Sequence, residues 1–95
     1  MKITCDPVKR KATLKDRGLD FLDAKIILGG HVLTVEDARR DYGETRFQTV
    51  GFLADRMVMV VWMERDGAVH VISMRKCNAK EQKRYQKRFD EARPD

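Results

Sequence analysis

Residues 69–76, VHVISMRK, are a run of mostly β-branched residues that ends in a basic pair. Such residues favour strands, and the two-residue period of a strand puts Ser73 and Arg75 on one face. The apolar run before it, residues 56–64, is typical of a strand that is covered on both faces. Asp66-Gly67 between the two runs is a strong hairpin signal. We therefore predict that the fold is built around this hairpin.

Two short helices are predicted in the first third of the chain. Asp6-Pro7 is typical of a helix start, because Asp accepts backbone N–H bonds and Pro at the first position loses no needed donor. Gly18 is typical of a helix end. A second helix is expected from Asp20 to Gly29-Gly30. Its core-facing stripe is predicted to consist of Leu22 and Ile26 with either Phe21 or Leu28.

The remaining segments complete a sheet and a third helix. Strands are expected at residues 1–5, 31–35, 44–52 and 68–75, and a charged connector at 36–43. In the last helix, Asn78 and Glu81 have capping-box spacing, and Tyr85 and Phe89 are expected to pack on the sheet together. Residues 93–95 are expected to be a frayed end. The predicted fold is a single α+β domain over residues 1–95, with two N-terminal helices, an antiparallel sheet of about four strands and a C-terminal helix.

The charge of the chain is concentrated near its C-terminal helix. The formal net charge is +5, and from Arg75 to Arg93 eight Lys or Arg residues stand against three acids. A basic patch of this kind favours a polyanionic partner, above all nucleic acid. The alternative is a solvated helix that only keeps the protein soluble.

Other functional classes find little support in the sequence. The two cysteines, Cys5 and Cys77, are too isolated for a disulfide scaffold and suit a reducing cytosol. No signal peptide or membrane span is recognisable, so a cytoplasmic protein is expected. The common metal and nucleotide motifs are missing, so no cofactor is expected. His70 is interpreted as a packed or surface histidine rather than a base.

Charged residues near strand ends are the best candidates for chemistry. Glu44, Arg46 and Gln48 share one face of their strand, and hairpin register decides whether Ser73 and Arg75 share it too. If they do, the set suits metal-independent RNA cleavage. Glu44 would take the proton of the attacking 2′-hydroxyl, and arginines would neutralise the charge that develops on the phosphate. The alternative is that Glu44 and Arg46 only pair with cross-strand neighbours.

Two further residues belong to this catalytic hypothesis. Arg65 lies at the mouth of the hairpin, and Tyr85 on the flanking helix could position or protonate the leaving oxygen. The catalytic candidates are thus Glu44, Arg46, Arg65, Arg75 and Tyr85. The candidates for RNA binding are Lys9, Ser73, Lys76, Lys83 and Arg84.

The order of motifs resembles the BrnT family of bacterial toxins. The resemblance rests on Asp6-Pro7-x-Lys9, Arg17-Gly18-Leu19-Asp20-Phe21-x-x-Ala24, Asp41-Tyr42-Gly43-Glu44-x-Arg46 and Ile72-Ser73-x-Arg75-Lys76-x(4)-Glu81-x(3)-Tyr85. Residues of the usual family type stand at Lys9, Glu44, Arg46, Arg65, Arg75 and Tyr85. Many members have Asn and then Lys-His-Gly where this chain has Thr13 and Asp16-Arg17-Gly18, so the resemblance supplies no histidine there.

The resemblance implies a RelE-like α+β ribonuclease toxin. It also implies a partner antitoxin, BrnA, encoded alongside, which neutralises the toxin and supplies the DNA-binding motif with which the complex represses its own promoter. Operator DNA would then be bound only through the antitoxin. The alternatives are a non-catalytic nucleic-acid-binding module and a degenerate toxin that acts only as a regulatory partner.

Overall fold

The computed structural model describes residues 1–92, and within them it shows a five-stranded mixed sheet and three helices. The expectation for residues 93–95 lies outside the described residues. The elements are β1 (Ile3–Cys5), α1 (Pro7–Arg17), a 3-10 turn (Phe21–Asp23), α2 (Ala24–Leu28), β2 (Leu33–Glu36), β3 (Phe47–Leu53), β4 (Arg56–Arg65), β5 (Ala68–Lys76) and α3 (Ala79–Glu91). The order of strands in the sheet is β1-β5-β4-β3-β2.

The α+β class is confirmed, but the predicted antiparallel sheet of about four strands is wrong in two respects. The sheet has five strands, and β1 pairs with β5 in parallel, with Thr4 opposite His70. The other neighbouring strands are antiparallel. A parallel pair needs a long crossover, and here the crossover contains most of the chain. Local patterns do not reveal a pairing of that span.

Helix α1 begins and ends as predicted. Asp6 accepts the backbone N–H of Val8 at 2.8 Å, and Gly18 closes the helix with φ of +67°. Arg17 Nη1 donates to the carbonyl oxygen of Met74 at 2.8 Å, which ties α1 to β5. The helix that follows β1 therefore lies alongside the C-terminal half of β5.

The predicted stripe of the second helix is wrong. Phe21, Ala24 and Ile27 are buried, whereas Leu22 and Ile26 are 44% and 62% exposed. The segment opens as a 3-10 turn in which Asp20 caps Leu22, and α2 is only five residues long. Core contacts at every third residue follow the three-residue period of that turn rather than the 3.6-residue period of an α-helix.

Strand β4 lies between two hydrophobic clusters. Val58 and Val60 face the side of Phe21 and Ile27, and Met57, Met59 and Val61 face α3. This part of the strand is buried on both faces, as predicted, while Trp62 and Met63 are only half-buried. Phe89 is 4% exposed and packs on the same cluster as Tyr85, which confirms the prediction for α3.

The strand boundaries differ from the predictions where they matter for the site. Strand β3 begins at Phe47 rather than at residue 44, so Glu44 and Arg46 belong to the preceding loop. Strand β2 spans Leu33–Glu36 rather than residues 31–35. The predicted Asp66-Gly67 turn is confirmed, with φ of +52° and +76°. Among the described residues, no helix is long and apolar enough to cross a membrane.

Candidate active site

The strand register settles which residues share a face of the sheet. Gln48 lies opposite Val61, and Val61 lies opposite Ser73, so these three side chains form one row. The next row in one direction contains Met59 and Arg75. The next row in the other direction contains Met63 and His70, because the register shifts by one residue of β5 between Val61 and Trp62. The face of Gln48 is therefore the face of Ser73 and Arg75.

Helix α3 covers only part of that face. We call the part in contact with α3 the covered end; it consists of Met57, Met59, Val61, Ile72 and Arg75. We call the remainder the open end; it consists of Met63, Arg65, His70, Glu44 and Arg46. Arg46 extends the ladder beyond β3, since its carbonyl oxygen accepts the N–H of Asp37 at 2.7 Å.

His70 lies in the middle of the open end. Its Nδ1 atom is 2.9 Å from Thr4 Oγ1, and its Nε2 atom is 3.2 Å from Arg65 Nη1. The pKa of His70 is lowered, chiefly by burial and then by the positive charge of Arg65, while the charge of Glu44 acts in the opposite direction. Arg65 is exposed and forms no ion pair with a carboxylate in the part of the chain that the structure describes.

Glu44 and Arg46 pair with each other rather than with cross-strand neighbours. Arg46 Nε and Nη2 both lie 2.9 Å from Glu44 Oε1, and the guanidinium lies 4.1 Å from the centre of the Tyr42 ring. The Tyr42 hydroxyl donates to Asp37 at 3.3 Å. In the connector that precedes β3, the Arg46 guanidinium thus forms a cation–π contact with the Tyr42 ring.

Asp37 fixes the shape of this connector. Its side chain is fully buried and forms two hydrogen bonds of 2.8 Å with the guanidinium of Arg39. These bonds hold the pKa of the Asp37 carboxyl well below its usual range. The charged connector before β3, which lacks apolar periodicity, is therefore held together by the buried carboxylate of Asp37.

At the covered end, Arg75 is bound to α3. Its two Nη atoms each lie 2.7 Å from an oxygen of Glu81, which also accepts the N–H of Asn78 at 3.0 Å and completes the predicted capping box. The Arg75 guanidinium, followed by the bond from Asn78, lowers the pKa of Glu81 to about 2. Arg75 thus joins the end of β5 to the first turn of α3.

Tyr85 lies on α3 beside the covered end. It is half-buried against the covered end, and its hydroxyl oxygen accepts a hydrogen bond from Arg84 Nη2 at 3.1 Å. The proton of that hydroxyl is therefore free for another acceptor.

The structure brings together some of the predicted RNA-binding residues and separates others. Lys9 and Ser73 line one groove between α1 and β5, together with Thr13, Asp16 and Arg17. Lys76 lies opposite Val58 and therefore on the other face of the sheet. Lys83 and Arg84 are exposed on α3, as expected.

The sequence did not predict the contacts of His70 with Thr4 and Arg65 or the contact of Tyr42 with Arg46. Thr4 meets His70 only through the parallel pair, and Tyr42 meets Arg46 only because Asp37 shapes the loop. For His70 a weak signal existed, since it is a polar residue within an apolar strand next to a hairpin that carries Arg65.

Comparison with known proteins assigns the chain to a family. No curated protein matches the sequence. Residues 6–81 match the family described as "Ribonuclease toxin, BrnT, of type II toxin-antitoxin system", and the match includes α1, the whole of β2–β5 and the start of α3. The chain therefore belongs to the BrnT family of ribonuclease toxins of type II toxin–antitoxin systems.

Proposed function

We propose that this protein is a metal-independent endoribonuclease toxin, which inhibits translation and growth by cleaving RNA. The observation that carries the proposal is the open end of the sheet, where Arg65 contacts His70 and where Glu44, paired with Arg46, acts on the charge of the His70 ring. Helix α3 leaves this surface uncovered, so an RNA strand can reach it.

The arrangement supports attack by the 2′-hydroxyl on the adjacent phosphate. Two guanidinium groups can bind phosphate oxygens and offset the negative charge that develops as the new P–O bond forms. Arg65 forms no ion pair with a carboxylate among the described residues, so it can bind phosphate without breaking one. Arg46 is already fixed by Glu44 and Tyr42, which lowers the entropy lost on binding phosphate.

The other predicted residues fit around this centre. Lys9 and Ser73 lie in the groove beside β5, where they can bind the RNA on one side of the scissile bond. Tyr85 can donate its free proton to the leaving oxygen. Lys83 and Arg84 add positive charge on α3 and attract the RNA backbone. Arg75 holds α3 over the covered end through Glu81, and any contact with phosphate must compete with that ion pair.

The partner is proposed to be a BrnA-like antitoxin. A type II toxin family implies an antitoxin, and the basic, uncovered site offers a groove that an acidic or closely fitting segment can fill. We place its inhibitory contact on the open end, so that antitoxin and RNA exclude each other. Binding to operator DNA is assigned to the antitoxin.

The proposal is tested by cleavage of a purified single-stranded RNA in EDTA. Wild type should produce 2′,3′-cyclic phosphate and 5′-hydroxyl ends. Arg65→Ala should lower kcat/KM by about 10²–10³-fold, because one preorganised donor to the reacting phosphate is lost. Lys25→Ala, an exposed cation on α2, is the matched control and should cut like wild type. Saturating antitoxin should protect the RNA.

The outcomes separate the candidate functions. Binding without cutting by folded wild type would favour a non-catalytic nucleic-acid-binding module, whose affinity would depend most on Lys83 and Arg84. Binding of antitoxin without either activity would indicate a degenerate toxin kept as a regulatory partner. Cutting that requires a divalent cation would overturn the metal-independent mechanism.

A further inference from the structure

His70 is held in one tautomer by two neighbours of different chemistry. A guanidinium only donates hydrogen bonds, so the contact of 3.2 Å between Arg65 Nη1 and His70 Nε2 requires a lone pair on Nε2. The proton of the neutral imidazole is then on Nδ1, which donates it to Thr4 Oγ1 at 2.9 Å. The ring is fixed with its basic nitrogen beside the arginine proposed to bind phosphate.

We infer that His70 is the general base of RNA cleavage and that Thr4 is its positioning residue. This inference rests on the proposed ribonuclease function and replaces Glu44 as the proton acceptor. Glu44 Oε1 accepts hydrogen bonds from two nitrogens of Arg46 at 2.9 Å. The only partner of His70 Nε2 among the described residues is the exposed guanidinium of Arg65 at 3.2 Å.

The reaction can be written with every proton placed. When RNA binds, Arg65 moves from Nε2 to a phosphate oxygen, and Nε2 accepts the proton of the 2′-hydroxyl. The O2′–P bond forms and the P–O5′ bond breaks, which leaves a 2′,3′-cyclic phosphate. The departing O5′ takes a proton from Tyr85 and becomes a 5′-hydroxyl. Solvent water then takes the proton from His70 Nε2 and returns one to Tyr85, which restores both groups. Throughout, Nδ1–H continues to donate to Thr4.

The charges around His70 suit this cycle. Arg65 and Lys9 disfavour the protonated ring, while Glu44 and Asp6 favour it. Burial is the largest cause and lowers the pKa of His70 from its ordinary value of 6.5, which favours the neutral ring that can accept a proton. Once a phosphate lies between Arg65 and the ring, its negative charge and that of Glu44 stabilise the imidazolium that forms.

The test is a pH–rate profile of kcat/KM for wild type, His70→Gln, Thr4→Val and Thr4→Ser in EDTA. His70→Gln should lower kcat/KM by about 10²–10⁴-fold and abolish the acid limb of the profile. Thr4→Val should lower kcat/KM about tenfold, and Thr4→Ser should restore it, since only the hydroxyl is needed. His31→Gln is the matched control, because His31 is exposed and packs edge-on against Phe89.

A second measurement protects the test against a folding defect. Imidazole added to His70→Ala should restore part of the activity, in proportion to its neutral form, which a purely structural role would not allow. If kcat/KM of His70→Gln were within about threefold of that of active wild type, the role of His70 would be overturned and the ribonuclease function would stand. A wild-type profile without an acid limb below pH 6.5 would have the same consequence. Absence of cutting by folded wild type would overturn both.

Discussion

The covered end and the open end belong to the same face of one sheet, yet Arg75 in the first and Arg65 in the second have different partners. At the covered end, Arg75 is bound through both Nη atoms to Glu81 at 2.7 Å. At the open end, Arg65 Nη1 lies 3.2 Å from His70 Nε2, and Arg65 has no carboxylate partner among the described residues. The first arrangement uses an arginine to fasten a helix, and the second leaves a guanidinium available to an anion.

The difference shows why an arginine at a strand end is an ambiguous signal. Arg75 is followed by a basic helix and Arg65 by a tight turn, so Arg75 is the more conspicuous in the sequence. A carboxylate six residues after Arg75 occupies it, because the capping box brings Glu81 back to the end of β5. Availability for binding therefore depends on the partner that the local fold supplies.

The largest expected effect is the loss of a large side chain at the covered end. Phe89→Ala should lower the free energy of unfolding by about 3–5 kcal/mol, because the 4% exposed ring packs against Phe52 and the β4 methionines. Met63→Ala at the open end should cost less than about 2 kcal/mol, since Met63 is only half-buried. Urea unfolding measures both, and equal losses would contradict the division into two ends.

A smaller effect is expected from the ion pair that fastens α3. Glu81→Gln should lower the free energy of unfolding by about 1 kcal/mol at pH 7, after allowance for the solvent exposure of Arg75. Glu81 has a pKa of about 2 in the folded protein and an ordinary value of 4.5. Its contribution is therefore present above about pH 4.5 and is lost as the pH falls towards 2.

The matching measurement is the pH dependence of unfolding for wild type and Glu81→Gln. The difference between the two should shrink between pH 4.5 and pH 2, and an unchanged difference would argue against this ion pair. The folded fraction of Glu81→Gln should still cleave RNA. If cleavage instead fell as far as in Arg65→Ala, the pair of Arg75 and Glu81 would belong to the catalytic centre.

The smallest expected effect is a gain in stability at the turn between β3 and β4. Ala54 and Asp55 both have positive φ, +48° and +63°, as a type I′ turn requires, although neither is a glycine. Replacement by Asn-Gly should raise the free energy of unfolding by about 0.5–1 kcal/mol and leave kcat/KM unchanged. Thermal unfolding checks the first part, and a lower melting temperature would contradict it.

The sequence predicts the local elements well, because their signals are local. Asp6-Pro7, Gly18, Asp66-Gly67 and the capping box of Asn78 and Glu81 each act within a few residues, and all appear as predicted. The predicted apolar stripe of the second helix is wrong, because the segment begins with a 3-10 turn, whose period differs from that of an α-helix. The predicted start of β3 at residue 44 is wrong, because residues 37–46 form a loop in which the buried carboxylate of Asp37 binds Arg39 and Tyr42.

The candidate site was predictable only in part. The arginines and Glu44 are visible as charged residues near strand ends, but whether they share a face depends on the register, which Gln48, Val61 and Ser73 reveal only in the structure. The orientation of His70 depends on Thr4, and their pairing spans 66 positions of the chain. Polar residues at such a separation give no periodic signal.

The parallel pairing of β1 with β5 has a consequence for the order in which the molecule is assembled. Thr4 lies 66 residues before His70, so their contact closes a long loop and is slow to form compared with the β4–β5 hairpin. During synthesis, Thr4 has no partner until β5 has been made. If Thr4 positions His70 as proposed, a chain synthesised only as far as β4 lacks the pair that orients the proposed base.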